Sequence, residues 1–345
     1  MDILNAPQGG KLVWNNFVKD NYPPVGAFMQ TWEWGEFQKN LGREIERQFV
    51  TDKDKIIAAF TFVRYFLPLG YSYGYIPRGP VIAKGAGENQ YFEIFQSIKN
   101  WAATKFPNLA FVRLEPPILE LKKKISDHGI RAPQYYIQPR HNIVINIDKN
   151  LDEIASGFHP STRSNLKRAE NRGVTVSLKS SIQESDLDEF FNMARETIKR
   201  NSGKNVYPDN SYFQHLFKTI PAIEEGHKPS ALKLGMFCGY QEGAPAAINF
   251  VLFFGSTATY LFGASYSDKL RSKVTTYLHW SAMQEAKKRG LKFYDLGGID
   301  EIRWPTLTDF KRQFRGQEFK YIGNLDIPMR PAIHKIYDFL KRLKG

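Results

Sequence analysis

The chain repeats itself once, and this repetition restricts the folds open to it more than any other feature. In the first half, the pattern predicts a helix over 31–41, ended by Gly42, then a strand near 44–50. The turn Asp52-Lys53-Asp54-Lys55 leads into a long strand over 56–66, a strand over 71–76, a helix near 88–106 and a strand over 109–114. In the second half, helices near 162–172 and 187–201 precede a strand over 232–240, the turn Gln241-Glu242-Gly243 and a strand over 246–254. A strand over 259–263, a helix near 274–289 and a strand over 293–296 follow. Each half therefore reads as a hairpin, a third strand, a helix and a fourth strand. The closing strands share letters: Leu, Phe and Leu recur at one spacing in Leu109-Ala110-Phe111-Val112-Arg113-Leu114 and in Leu291-Lys292-Phe293-Tyr294-Asp295-Leu296.

At 345 residues the chain exceeds the size at which one core stops growing, so two domains are expected. We place the first over 1–150 and the second over 151–317, with 318–345 returning to the first. A hairpin followed by β-α-β is the core of the GNAT acyltransferase fold. The fold class is therefore α/β (α+β), with two tandem GNAT-like domains of mixed sheets and no coiled-coil arm. Acetyl-CoA users carry a Gly-rich loop before the helix, where backbone N–H groups hold a pyrophosphate. Here the chain reads Ser267-Asp268-Lys269-Leu270-Arg271-Ser272 in the second half, and only a poor partial match, Ala83-Lys84-Gly85-Ala86-Gly87-Glu88, in the first. The scaffold points to acyl transfer and the loop points away from coenzyme A.

Lys and Arg outnumber Asp and Glu by 48 to 35, a net charge of +13. That excess suits an anionic partner such as nucleic acid, a phosphorylated metabolite or an anionic membrane, unless it is only basic surface. Arg163, Lys167, Arg168, Arg172 and Lys179 form one candidate patch; a solvated helix face is the alternative. Cys238 is the single cysteine, so no internal disulfide forms, and its apolar neighbours predict a buried small hydrophobe. Seven histidines with no i, i+4 pair predict no metal site, and His159 before Pro160 reads as a cap or surface residue. The short polar N-terminus does not resemble a signal peptide, and no apolar run is long enough to span a bilayer. A cytoplasmic monomer is expected. The tail reads as an amphipathic helix with Ile333, Ile336, Tyr337, Leu340 and Leu343 on its apolar stripe and Lys335, Lys341, Arg342 and Lys344 on its basic face. It packs on its own domain or contacts the inner face of the membrane.

Local motifs run in order along nearly the whole chain: Gln30-Thr31-Trp32-Glu33-Trp34, Tyr75-Ile76-Pro77-Arg78-Gly79-Pro80-Val81, Val112-Arg113-Leu114-Glu115-Pro116 and Thr162-Arg163-Ser164-Asn165-Leu166. Thr197-Ile198-Lys199-Arg200, Tyr260-Leu261-Phe262-Gly263-Ala264-Ser265, Tyr294-Asp295-Leu296-Gly297-Gly298 and Phe310-Lys311-Arg312-Gln313-Phe314-Arg315-Gly316 complete the set. Together they resemble the FemABX family, which moves amino acids from aminoacyl-tRNA onto peptidoglycan precursor peptides. Two departures stand out. Glu115 occupies the place of an Asp, and Phe314-Arg315-Gly316 replaces Phe-Gly. Without a long heptad hairpin the chain looks more like the FemX branch.

The resemblance implies an aminoacyltransferase. An amine on the stem peptide of UDP-MurNAc-pentapeptide or lipid II attacks the ester of aminoacyl-tRNA, with no cofactor and no metal. The missing arm leans toward the nucleotide-linked acceptor. The same scaffold with an acyl-CoA donor and an amino-sugar or lipid acceptor is the alternative, and a non-catalytic RNA- or membrane-binding module is another. The resemblance makes Lys311, beside Phe310, the candidate oxyanion stabiliser, where position alone also allows a surface lysine. Glu115, at a strand end, is the candidate carboxylate for the attacking amine, or else a partner for Arg113. Arg200, Lys204 and Tyr207 are candidates for the precursor's diphosphate. Arg78 could do the same or tie down its turn. Tyr75 and Tyr260 end equivalent strands and bind substrate or pack, Lys39 is a weaker candidate, and Gly297 and Gly298 allow close backbone approach beside Asp295.

Overall fold

The computed structural model describes the chain except residues 24, 134, 202–204, 206, 225–228 and 345 and the side chain of Lys344. It divides into two compact units. The first comprises Met1–Pro23, Ala27–His141 and the residues from Phe319 onward; the second comprises Asn142–Glu318 with Pro24–Gly26. The sequence-based boundary at 151 lies inside the second unit.

The first unit opens with β1 (Asp2–Asn5) and α1 (Lys11–Asn21), followed by α2 (Trp32–Asn40). Thr31 caps α2: its hydroxyl accepts from the Trp34 N–H at 3.2 Å. Strands β2 (Glu44–Asp52) and β3 (Lys55–Phe66) form the expected hairpin, and β4 (Ser72–Ile76), β5 (Val81–Ile82), α3 (Glu88–Lys105) and β6 (Leu109–Leu114) follow. Phe60, Phe62 and Phe111 are fully buried, each contributing on the order of 2–3 kcal/mol through removal from water. Gly74 leaves the room that the Phe62 ring fills, since a Cβ there would collide with it.

The second unit runs through β7 (His141–Asn146), which begins at its boundary, α4 (Leu151–Gly157), α5 (Pro160–Asn171), β8 (Val174–Lys179), α6 (Glu184–Arg200) and α7 (Asn210–Thr219). Then come β9 (Lys233–Gln241), β10 (Ala244–Phe254), β11 (Thr257–Ser265), α8 (Val274–Lys288), β12 (Phe293–Ile299), α9 (Pro305–Arg312) and β13 (Gln317–Lys320). The chain then supplies β14 (Leu325–Pro328) and α10 (Pro331–Lys344) to the first unit.

One sheet has the order β1-β2-β3-β4-β6-β14, with β5 beside β3, and the other has the order β13-β7-β12-β11-β10-β9-β8. Both are mixed: β4 runs parallel to β6 and β11 parallel to β12, amid antiparallel neighbours. The hairpin, third strand, helix and fourth strand read from the sequence are present in both units. Strands β1, β5, β7, β8, β13 and β14 and helices α1, α4 and α7 lie outside the elements expected from the sequence.

The tail helix forms and packs on the first unit, but only Ile333 and Tyr337 of the predicted apolar stripe turn inward. His334 is buried and Tyr337 packs 5.4 Å from the Tyr73 ring and 5.0 Å from Phe111, whereas Ile336, Leu340 and Leu343 stay exposed. The reason is electrostatic. His334 Nε2 lies 2.8 Å from Asp326 Oδ2, and that carboxylate takes both arms of Arg113, at 2.7 and 2.6 Å. This buried network fixes which side of the helix turns inward.

Candidate active site

In the second unit, β11 and β12 are paired only from Thr257↔Phe293 to Thr259↔Asp295. Beyond that point the strands part, although β11 continues to Ser265 and β12 to Ile299. The equivalent pair in the first unit, β4 and β6, stays in register to its last residues, Ile76↔Leu114. Of these two parallel pairs, the second unit's opens a gap.

Helix α9 places Lys311 at this gap. It starts at Pro305, whose missing N–H costs nothing at the first helical position, and Thr308 Oγ1 anchors it to the backbone of Asp300 at 2.9 and 3.0 Å. Lys311 is only 4% exposed, so it is not the surface lysine that position alone allowed. Its Nζ donates to the Gly298 carbonyl at 2.7 Å and lies 5.6 Å from the centre of the Tyr260 ring. Gly297 takes a left-handed backbone at φ +78°, and a Cβ there would stand 3.4 Å from the Tyr260 carbonyl oxygen and 3.6 Å from Nζ, at van der Waals contact. Gly297 N–H in turn donates to Asp295 Oδ1 at 2.7 Å, and Asn142 donates to the same carboxylate at 3.2 Å.

Burial pulls the Lys311 ammonium down to about 8, with Asp295 opposing the shift. Burial also pushes the Tyr260 hydroxyl up. His279, which the sequence reading did not select, is buried behind them, its Nδ1 3.0 Å from the Tyr294 hydroxyl and its ring 4.7 Å from Tyr260. Burial, and then the charge of Lys311, lower it to about 3, so it is neutral at ordinary pH. Its position inside α8, flanked by Leu278 and Trp280, gave the sequence no signal but a core residue. Phe310 is half-buried against His279 and Phe314, at 5.6 and 5.5 Å. The extra residue after Phe314 is accommodated locally. Arg315 takes a left-handed backbone at φ 51°, and Gly316 lies so close to Val144 that a Cβ would meet its carbonyl oxygen at 2.7 Å.

Arg200 and Tyr207 both attach to the end of β11. The guanidinium donates to Ser267 Oγ at 2.8 Å and Ser265 Oγ at 3.1 Å, and the Tyr207 hydroxyl donates to the Gly263 carbonyl at 2.7 Å. Tyr207 also lines a cleft of about 430 Å³ with Arg195, Asn205 and Asp209. Lys204 lies outside the described residues. Before helix α8, Lys273 holds a left-handed backbone and Ser272 Oγ accepts from the Val274 N–H at 3.3 Å.

In the first unit, Glu115 is 4% exposed and does not pair with Arg113, whose partner is Asp326. Its oxygens accept from the Tyr75 hydroxyl at 2.5 Å, Gln138 N–H at 3.2 Å and Arg78 N–H at 3.4 Å. Burial raises its pKa against the pull of Arg78 and these donors. Arg78 sits at φ 51°, donates to the Pro139 carbonyl at 2.7 Å and stacks 4.8 Å from the Tyr321 ring. Lys39 is half-exposed on α2, 3.3 Å from Glu36.

Of the candidate basic patch, Arg163 donates to the carbonyls of Ser156 and Phe158, Arg172 to that of Arg271, and Lys179 pairs with Asp186. Lys167 and Arg168 are exposed. His159 caps α5, accepting from Ser161 N–H at 3.2 Å, and Cys238 is buried. Among the described residues, Asp326, His334 and Asp338 bring three ligand-type atoms within 4.8 Å, a cluster that spacing along the sequence did not suggest. Asp326 is already committed to Arg113 and His334, so the donor set is that of an ion-pair network.

A sequence profile of the FemAB family matches residues 11–135, 127–222 and 236–342. The chain belongs to the FemAB family. Relatives within reach of this FemAB protein include the lipid II:glycine glycyltransferases of Staphylococcus aureus strains MRSA252 and COL. Each is 23% identical over 401 residues, covering 94% of this chain and 93% of the relative. That aligned length exceeds the 345 residues here, so the relatives carry segments that this FemAB chain lacks. The fold matches a crystal structure of FemX at a TM-score of 0.80, 19% identity and coverage of 98% of this chain and 100% of that one. A tandem GNAT protein from the clavulanic acid biosynthesis pathway matches at 0.55, with 9% identity and coverage of 94% and 97%.

Proposed function

We propose that this protein is an aminoacyltransferase that moves an amino acid from aminoacyl-tRNA to the stem-peptide amine of lipid II. The observation that carries this reading is the gap where β11 and β12 part, with the Lys311 ammonium held inside it. A donor ester laid in the gap would present its carbonyl to that cation. Attack by a neutral amine forms the C–N bond and places negative charge on the carbonyl oxygen. Collapse breaks the C–O bond, releases the ribose hydroxyl of the tRNA and needs one proton moved from amine to leaving oxygen. An ester is activated enough that the protein need supply only position, a dry cation and a path for that proton. Of the three donors an ammonium carries, Gly298 takes one, which aims the side chain.

The names of the curated relatives favour the lipid-linked acceptor over the nucleotide-linked form toward which the missing arm leaned. The stretch Ser267–Ser272 before α8 carries no Gly-rich pyrophosphate loop, which supports a donor other than coenzyme A. The surplus of basic residues suits tRNA phosphates. Arg200 and Tyr207 fix the end of β11 and stay candidates for the acceptor's diphosphate, and Glu115, bound to Tyr75 within the first unit, stays a candidate through the family resemblance.

The test is transfer of labelled amino acid from a pool of charged tRNA to lipid II in detergent micelles, with Lys311→Ala alongside. Label on lipid II with wild type and its loss in the variant support the reading. Absence of transfer to lipid II and to the nucleotide-linked precursor would overturn it.

A further inference from the structure

Helix α10 leaves a contiguous apolar strip on the outside of the first unit. Ile336, Phe339, Leu340 and Leu343 are 56%, 62%, 51% and 69% exposed. They stand at i, i+3, i+4 and i+7, so they form one row on one side of the helix. The inward side is occupied separately, by His334 against Asp326 and Tyr337 against Tyr73 and Phe111. The strip is therefore not the underside of a badly packed helix, because docking uses other residues. Lys335 and Arg342, seven apart and both exposed, border it, and exposed Lys341 adds a third charge near the end. Just before the helix, the Arg330 guanidinium lies 5.8 Å from the Tyr71 ring. That contact ties the helix start to the turn where Leu69 stands 93% exposed, with φ 60°. A leucine held in a left-handed turn with nothing around it gains no packing in return for the strain.

We propose that this edge of the first unit docks on a bilayer surface carrying anionic headgroups, with the α10 strip in the acyl boundary and its bordering cations at the phosphates. A convex apolar row bordered by lysine and arginine matches the layering of an anionic lipid interface. A second copy of the chain would set like charges against each other. The proposal stands on this surface alone and needs no assumption about the reaction.

The experiment is cosedimentation of the full chain with vesicles, without tRNA or acceptor. One set is an equal mixture of phosphatidylcholine and phosphatidylglycerol, the other phosphatidylcholine alone. Wild type should pellet with the anionic set far more than with the neutral one. Ile336→Ser/Phe339→Ser/Leu343→Ser should weaken partition at least about tenfold, and Lys335→Gln and Arg342→Gln about fivefold each, with unchanged thermal melting since all are exposed. A Phe339→Trp chain should show a blue-shifted emission on anionic vesicles. Leu69→Ser should give a smaller loss of the same sign. No pelleting of wild type, or equal pelleting of the serine variant, overturns the proposal. So does a lipid-free dimer that the serine variant abolishes, which would assign the strip to a second copy. Transfer activity is not read, so this result and that of the transfer assay can fail independently.

Discussion

Lys311 Nζ donates to the carbonyl oxygen of Gly298 at 2.7 Å, two residues beyond Leu296 on the strand that has just left its neighbour. A flexible side chain is thereby tied to the backbone at the point where the sheet opens. The Gly297-Gly298 pair exposes a carbonyl where the lysine needs an acceptor, and the lysine has little water to turn to instead.

Turnover should fall as pH rises through about 8, because burial lowers Lys311 to about 8 and its cation is lost above that. Lys311→Ala should lower kcat about 10²–10³-fold. Lys311→Arg, always protonated, should keep whatever activity it has across the same range. The unfolded chain still holds this proton between about 8 and the ordinary lysine value, so it binds more protons than the folded chain there. Folded stability should therefore rise with pH in that window. A kcat–pH profile of the arginine variant that keeps the falling limb would assign the limb to another group.

Tyr75→Phe should cost about 1–3 kcal/mol of stability, since Glu115 loses its shortest hydrogen bond in a buried place. Urea unfolding reads this directly. No loss would mean that the carboxylate is served equally well by Arg78 and Gln138.

Asp326→Asn should destabilise the first unit by about 3–5 kcal/mol, because both arms of a buried Arg113 lose their counter-charge. The same change weakens the hold on His334, so hydrogen exchange should quicken in α10 before it does elsewhere. Uniform protection along α10 in the variant would contradict the account of its docking.

Gly297→Ala should lower kcat more than it raises KM. The left-handed backbone costs an alanine roughly 1–2 kcal/mol, and its methyl would face the Lys311 ammonium at about van der Waals distance. Steady-state kinetics with fixed acceptor would separate the two effects.

The repeated hairpins, the strands at their centre and the long helices α3, α6 and α8 were legible because each carries enough periodic apolar residues to reveal its face. Helix α4 is too short to show a face, whereas strand β8 alternates Val174, Val176 and Leu178 with polar residues and α7 turns Phe213 and Leu216 inward, so both were legible in the residues. Lys311 was found through its motif, yet its burial was invisible, since Arg312 and Arg315 beside it read as a solvated cluster. The partner of Arg113 was left open for a simpler reason. Glu115 lies two positions away, whereas Asp326 lies 213 positions away and is brought in by β14. His279 carried no local mark, being one of several polar residues in a helix of mixed composition.

The return of β14 to the sheet of the first unit has a consequence for synthesis. The residues of the second unit from Asn142 to Glu318 form one continuous stretch, free to collapse as soon as they leave the ribosome. The first unit has to wait. Until Leu325–Pro328 emerge, β6 has an open edge and Arg113 a buried charge without its counter-ion. The half of the protein made first is thus the half finished last, and the nascent chain carries an unpaired strand edge through most of its translation.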